Sequence, residues 1–97
     1  MKKPADPVPW TPVPYEDADA AAIQALIRGN AEEHQQQRAL KWIIEVACGT
    51  YNQTFYPGGE EGRRNTDFAE GRRFVGSQIV KMTRINTSKR REGNAET

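Results

Sequence analysis

Seven of the nine residues from Ala39 to Ala47 are apolar. At helical spacing, Ala39, Leu40, Trp42, Ile43, Ile44, Val46 and Ala47 cover more than half of the circumference. His34, Arg38, Lys41 and Glu45 share the polar strip that remains. A helix with so wide an apolar face needs cover on two sides. The segment therefore predicts a central helix over about residues 31–48, ended by Gly49, with other elements packed around it. Core material elsewhere is scarce. Apolar residues make up 36% of the 97-residue chain, against about 45–50% in an average globular domain. The length allows one domain, and a body this small often gains stability by oligomerising or docking.

Five of the six prolines, Pro4, Pro7, Pro9, Pro12 and Pro14, fall before residue 15. Proline fixes φ and removes a backbone donor, so residues 1–15 predict an extended arm and not a helix. Val8, Trp10, Val13 and Tyr15 are interleaved with those prolines. Two placements follow. The arm can dock in a groove on a partner through Pro9, Trp10, Pro12 and Tyr15. Alternatively it folds back, and Trp10 caps the chain's own core. At the other end, residues 87–97 are polar, carry Lys89-Arg90-Arg91, and predict a tail that is disordered when free.

Two further helices are expected. The first spans about residues 16–28, with acids at 16, 17 and 19 suiting its positive end. Its stripe is Ile23, Leu26 and Ile27, and Gly29-Asn30 stops it. Residues 49–64 predict a loop whose Tyr51, Phe55 and Tyr56 fold down to close the core. The last helix is expected over about 67–86, capped by Thr66 or Asp67. Phe68, Gly71, Val75, Ile79 and Met82 form its apolar stripe. A mid-helix glycine costs about 1 kcal/mol relative to alanine. Gly71 is therefore expected to face the central helix and admit its close approach, with Arg72 beside it reaching Glu45. The expected fold is all-α: a small three-helix domain over residues 16–86 with an extended proline-rich arm.

The motif Glu-Gly-Arg-Arg occurs twice, at 61–64 and 70–73. Charge is segregated along the chain. Residues 1–62 hold five basic and nine acidic side chains, and residues 63–97 hold nine basic and four acidic. Arg63, Arg64, Arg73, Lys81 and Arg84 form a candidate basic interface for an acidic protein surface or nucleic acid. Catalytic groupings are not found. His34 is the one histidine and Cys48 the one cysteine, so neither a metal cluster nor an internal disulfide is expected. Gly58, Gly59 and Gly62 lack the Gly-Lys-Ser/Thr ending of a phosphate loop. No apolar run has membrane-spanning length, and Lys2-Lys3 is followed by prolines instead of a signal-peptide core. The expectation is a non-enzymatic protein without cofactor or metal.

The segment Ala39-Leu40-Lys41-Trp42-Ile43-Ile44-Glu45-Val46-Ala47-Cys48-Gly49, the aromatic loop through Phe55, and Phe68-Ala69-Glu70-Gly71-Arg72-Arg73-Phe74-Val75-Gly76 form one unit. Over about residues 38–86 this unit resembles a family of small phage proteins. The family is typified by a protein of a short-tailed Bordetella phage, encoded in the virion-structure and packaging gene cluster. The family's helix opens Phe-x-Glu-Gly-x-Arg-x-Val-Gly, matched here by Phe68, Glu70, Gly71, Arg73, Val75 and Gly76. The resemblance implies a helical phage structural protein docking on the portal and head-to-tail region, the capsid or the ejection apparatus. It would reside in the virion, and in the host cytoplasm during assembly. A nucleic-acid-binding accessory factor for DNA packaging or regulation is the alternative.

Overall fold

The structure is a computed structural model that describes residues 9–88. The first helix, α1, runs from Asp17 to Arg28. Glu16 precedes it in extended conformation, and the two ends of a capping box close its first turn. The Glu16 N–H donates to Asp19 Oδ2 at 2.9 Å. Gly29, at φ 76°, ends the helix. A four-residue connection leads to α2, Glu33–Lys41, which opens with a second capping box made by Glu32 and Gln35.

The two helices pack on each other as a hairpin. Their contact is lined by alanine: Ala22, Ala25 and Ala39 are buried. The expected stripe of Ile23, Leu26 and Ile27 does not form the core, and Ile27 is 85% exposed. Side chains without a γ-carbon let the helices approach closely, and the larger residues are displaced from that line of contact. Arg38 clasps the hairpin from α2. Its Nε donates to Asp19 Oδ1 at 2.8 Å and its Nη2 to Glu16 Oε2 at 3.2 Å. The Glu16 backbone N–H, with Arg38 adding to it, holds the Asp19 carboxyl below its ordinary value.

The central helix is present but is not α-helical throughout. At Trp42 it widens, without a break, into a π-helix over Trp42–Ala47. The Cys48 N–H donates to the Ile43 carbonyl at 2.9 Å, five residues back. Two features favour the wider turn. Ile43, Ile44 and Val46 are β-branched and crowd an α-helical turn. Thr50, beyond the end, donates both its N–H (3.2 Å) and its hydroxyl (2.6 Å) to the Ile44 carbonyl. Tyr51 and Phe55 do not close the core, being 66% and 64% exposed.

The last helix, α3, spans Gly59–Arg84 and so begins eight residues before the expected start. Gly58 and Gly59, at φ 115° and 65°, turn the chain. The Pro57 carbonyl then seats over Gly62, where a Cβ would come within 2.5 Å of it. Thr66 is not the cap. It lies within the helix, and its hydroxyl accepts the Tyr56 N–H at 2.8 Å, tying down the loop.

Both Glu-Gly-Arg-Arg copies therefore belong to one helix. Nine residues amount to about two and a half turns, which puts the copies on opposite faces. Gly62 is buried, whereas Gly71 is exposed, with nothing within 4 Å of where a Cβ would stand. This corrects the packing role expected of Gly71. The buried face of α3 is Gly62, Asn65, Ala69 and Gly76. The glycine that admits the central helix is Gly76, where a Cβ would run into Thr50 Oγ1 and approach the Cys48 Cβ. The expected core stripe faces outward: Phe68, Val75 and Met82 are 45%, 52% and 70% exposed. The described residues form an all-α domain without strands.

Two expected outcomes test this packing. Gly71→Ala should stabilise the fold by about 0.5–1 kcal/mol through helix propensity. Gly76→Ala should instead destabilise it by about 1–3 kcal/mol through overpacking, because Thr50 cannot swing aside without losing its bond to Ile44. Urea unfolding reads both. The clasp gives a pH dependence. The Asp19 carboxyl is depressed in the folded state, so its contribution is full above the ordinary carboxylate range and is lost as the pH falls through the folded value. Asp19→Asn should lower the melting temperature at neutral pH, and the gap to the parent should close on acidification.

Candidate functional site

The arm, the basic side of α3 and the open face of α3 are the surfaces that carry the candidate residues. Residues 9–15 fold back onto their own domain. The Pro9 carbonyl accepts from Arg72 Nη1 at 3.1 Å, and Pro9 is buried. Trp10 meets the Phe68 ring edge-on, with centroids 6.1 Å apart and planes at 79°. Trp42 Nε1 donates to the Pro14 carbonyl at 3.1 Å. Of the expected partner anchors, Pro9 is thus enclosed within the chain, Trp10 is half exposed, and Pro12 and Tyr15 are open. Tyr15 borders a shallow pocket of about 280 Å³ with Ile23 and Trp42. Pro4, Pro7, Val8 and the basic run Lys89-Arg90-Arg91 lie outside the described residues.

Arg72 reaches Pro9 and not Glu45, which corrects the expected pairing. The guanidinium also packs against Gly49, where a Cβ would stand 2.8 Å from Nη2. Gly49 has φ 56°, so the turn that ends the central helix also makes room for this arginine. Its Nε is buried without a hydrogen-bond partner. A groove of about 490 Å³ runs beside it between the arm and the central helix, bordered by Pro12, Val13, Glu45 and Val46.

The five basic residues do not form one track. At about 100° per residue, Arg63, Arg73, Lys81 and Arg84 fall within about 80° of one another around α3, while Arg64 lies about 100° from Arg63. Arg73 is committed to an ion pair with Glu70 at 3.0 Å. That pair, followed by Thr54, holds the Glu70 carboxyl below its ordinary value. Arg63, Lys81 and Arg84 are exposed.

The open face of α3 carries Phe68, Gly71, Val75 and Met82, with Phe74, 61% exposed, beside them. Sequence reasoning turned this stripe inward and included Ile79, which is half-buried at its edge. The signal that places it outside is the competing run of small residues at Gly62, Ala69 and Gly76, spaced by seven along the other face. Among the described residues no group of three side chains is arranged to hold a metal ion, and no helix is long and apolar enough to cross a membrane. His34 is exposed, 3.5 Å from Glu32, and Cys48 is buried beneath α3. No protein-family model, curated protein or solved structure matches the chain.

The arm contact is testable. Arg72→Ala removes the donor to Pro9 and should abolish nuclear Overhauser contacts between the Trp10 and Phe68 rings. It should lower stability by about 1–2 kcal/mol in chemical unfolding.

Proposed function

We propose that this chain is a non-enzymatic structural protein of a bacteriophage that docks on a larger virion assembly. The candidate assemblies are the portal and head-to-tail region, the capsid and the ejection apparatus. One observation carries the docking role: the large apolar side chains stand outside. Among the described residues the buried apolar ones are Ala22, Ala25, Ala39, Ile44, Cys48 and Ala69, and no large side chain is fully buried. Trp10, Tyr15, Tyr51, Phe55, Phe68, Phe74 and Met82 are all exposed. Phe68, Phe74 and Met82 share the open side of α3, and an exposed apolar patch of this kind marks an interaction surface. The phage setting is supported by the resemblance over residues 38–86. On this reading the protein resides in the virion, and in the host cytoplasm during assembly.

A second reading is favoured by Arg63, Lys81 and Arg84 sharing one side of α3. It is an accessory factor for DNA packaging or regulation that contacts phosphates. Salt separates the two. Phosphate contacts give a log–log affinity slope of about −0.9 per contact on duplex DNA, whereas apolar docking responds little.

The deciding experiment is quantitative mass spectrometry of purified particles of the encoding phage. A fixed ratio to the portal or major capsid protein is expected. Absence from mature particles, with abundance in infected cells, would overturn the structural reading in favour of the accessory factor.

A further inference from the structure

We infer that two copies of this chain associate through α3, antiparallel, with Gly71 of each copy set against Val75 of the other. The inference rests on α3 alone and stands independently of the phage setting.

Phe68, Gly71, Val75, Gln78 and Met82 recur at alternating intervals of three and four residues, the spacing of a helix-pairing seam. In an antiparallel pair with its two-fold axis beside Phe74, the seam closes on itself. Gly71 faces Val75 of the second copy, Phe68 faces Gln78, and Arg64 faces Met82. Small opposes large at the centre, so the backbones can approach closely. Phe74 meets its own counterpart at the axis.

Charge selects the orientation. In this register Asp67 lies beside Lys81 of the second copy, and the pair occurs twice by symmetry. Both residues are exposed, and neither takes part in an ion pair within the described part of the chain. A parallel pair would instead set Asp67 beside Arg72, which is already held on the Pro9 carbonyl. Pro9 and Trp10 meet Arg72 and Phe68, while among the described residues nothing lies within 4 Å of a Cβ at Gly71 and Phe74 is 61% exposed.

The area is adequate. Phe68, Phe74, Val75 and Met82 are 45%, 61%, 52% and 70% exposed, which amounts to about 500 Å² per copy given the size of such side chains. Complete burial of these side chains in two copies would remove about 1,000 Å² from water, the threshold for a specific interface, to which Gln78, Asp67 and Lys81 add.

Sedimentation equilibrium of the full chain tests this at micromolar concentrations, with circular dichroism as the check on folding. The parent should be a dimer and Val75→Asp a monomer of unchanged helix content. Asp67→Lys and Lys81→Asp should each weaken association about tenfold, and the double reversal should restore it. Because Asp67 and Lys81 are exposed and make no internal pair, these variants keep the test valid even where Val75→Asp unfolds. A monomeric parent would overturn the inference and assign the stripe to another protein or to the chain's own terminal residues. Association that neither charge reversal weakens, or that the double reversal fails to restore, would overturn it equally.

Discussion

The seat of Gly76 against Thr50 is the contact on which the rest of the structure depends. The α1–α2 hairpin is one unit and α3 is another, and they meet at the π-helical end of the central helix. Thr50 is fixed there by two bonds to the Ile44 carbonyl. A glycine opposite lets the α3 backbone come down onto Thr50 and Cys48. Such a joint gains little from apolar area. It gains from close approach and from the paired Thr50 hydroxyl, which fixes the rotation of α3 about its own axis. That rotation decides which side chains face water.

The π-helical turn serves the same end. A regular α-helix to residue 48 would aim the Ile44 carbonyl along the helix axis at a backbone N–H four residues on. The wider turn leaves it to Thr50, six residues on, and so draws the chain into the Gly49 bend. Gly49 in turn leaves room for the Arg72 guanidinium, which reaches across to the Pro9 carbonyl. The end of the central helix, the seat of α3 and the anchoring of the arm are therefore coupled. A side chain larger than hydrogen at residue 49 or 76 would disturb all three.

What the sequence made legible was the existence and order of the helices and the non-helical course of residues 9–15. Capping acids, Gly29 and the apolar run Ala39–Ala47 carry those signals locally. The orientation of each helix was not legible, for one repeated reason. Hydropathy ranks Ile27, Phe68 and Met82 as core residues, but these helices meet along alanine and glycine, where the distance between backbones is the limiting quantity. A reading that weighs size as apolarity turns both α1 and α3 the wrong way. The early start of α3 was hidden because Pro57-Gly58-Gly59 signals a turn equally well before a loop and before a helix. The arm's return was left open because Trp10 serves either placement, and the ties that settle it, Arg72 to Pro9 and Trp42 to Pro14, span more than twenty residues.

A core of this kind cannot be enlarged from within. Its thinnest dimension is 16 Å, and packed helix axes lie about 8–10 Å apart with Cα atoms about 2.3 Å from each axis. Two helical layers fill that depth, so every helix keeps a face to solvent. Larger residues at Ala22, Ala39 or Gly76 would push the layers apart and would not deepen the core. Further apolar burial must therefore come from outside the chain, by covering the faces that two layers leave open. Trp10, Tyr15, Tyr51, Phe55, Phe68 and Phe74 stand on those faces, while Ala22, Ala25, Ala39 and Ala69 occupy the interior. The chain thus uses its smallest residues to set its own geometry and leaves the area of its largest residues for contact with another surface.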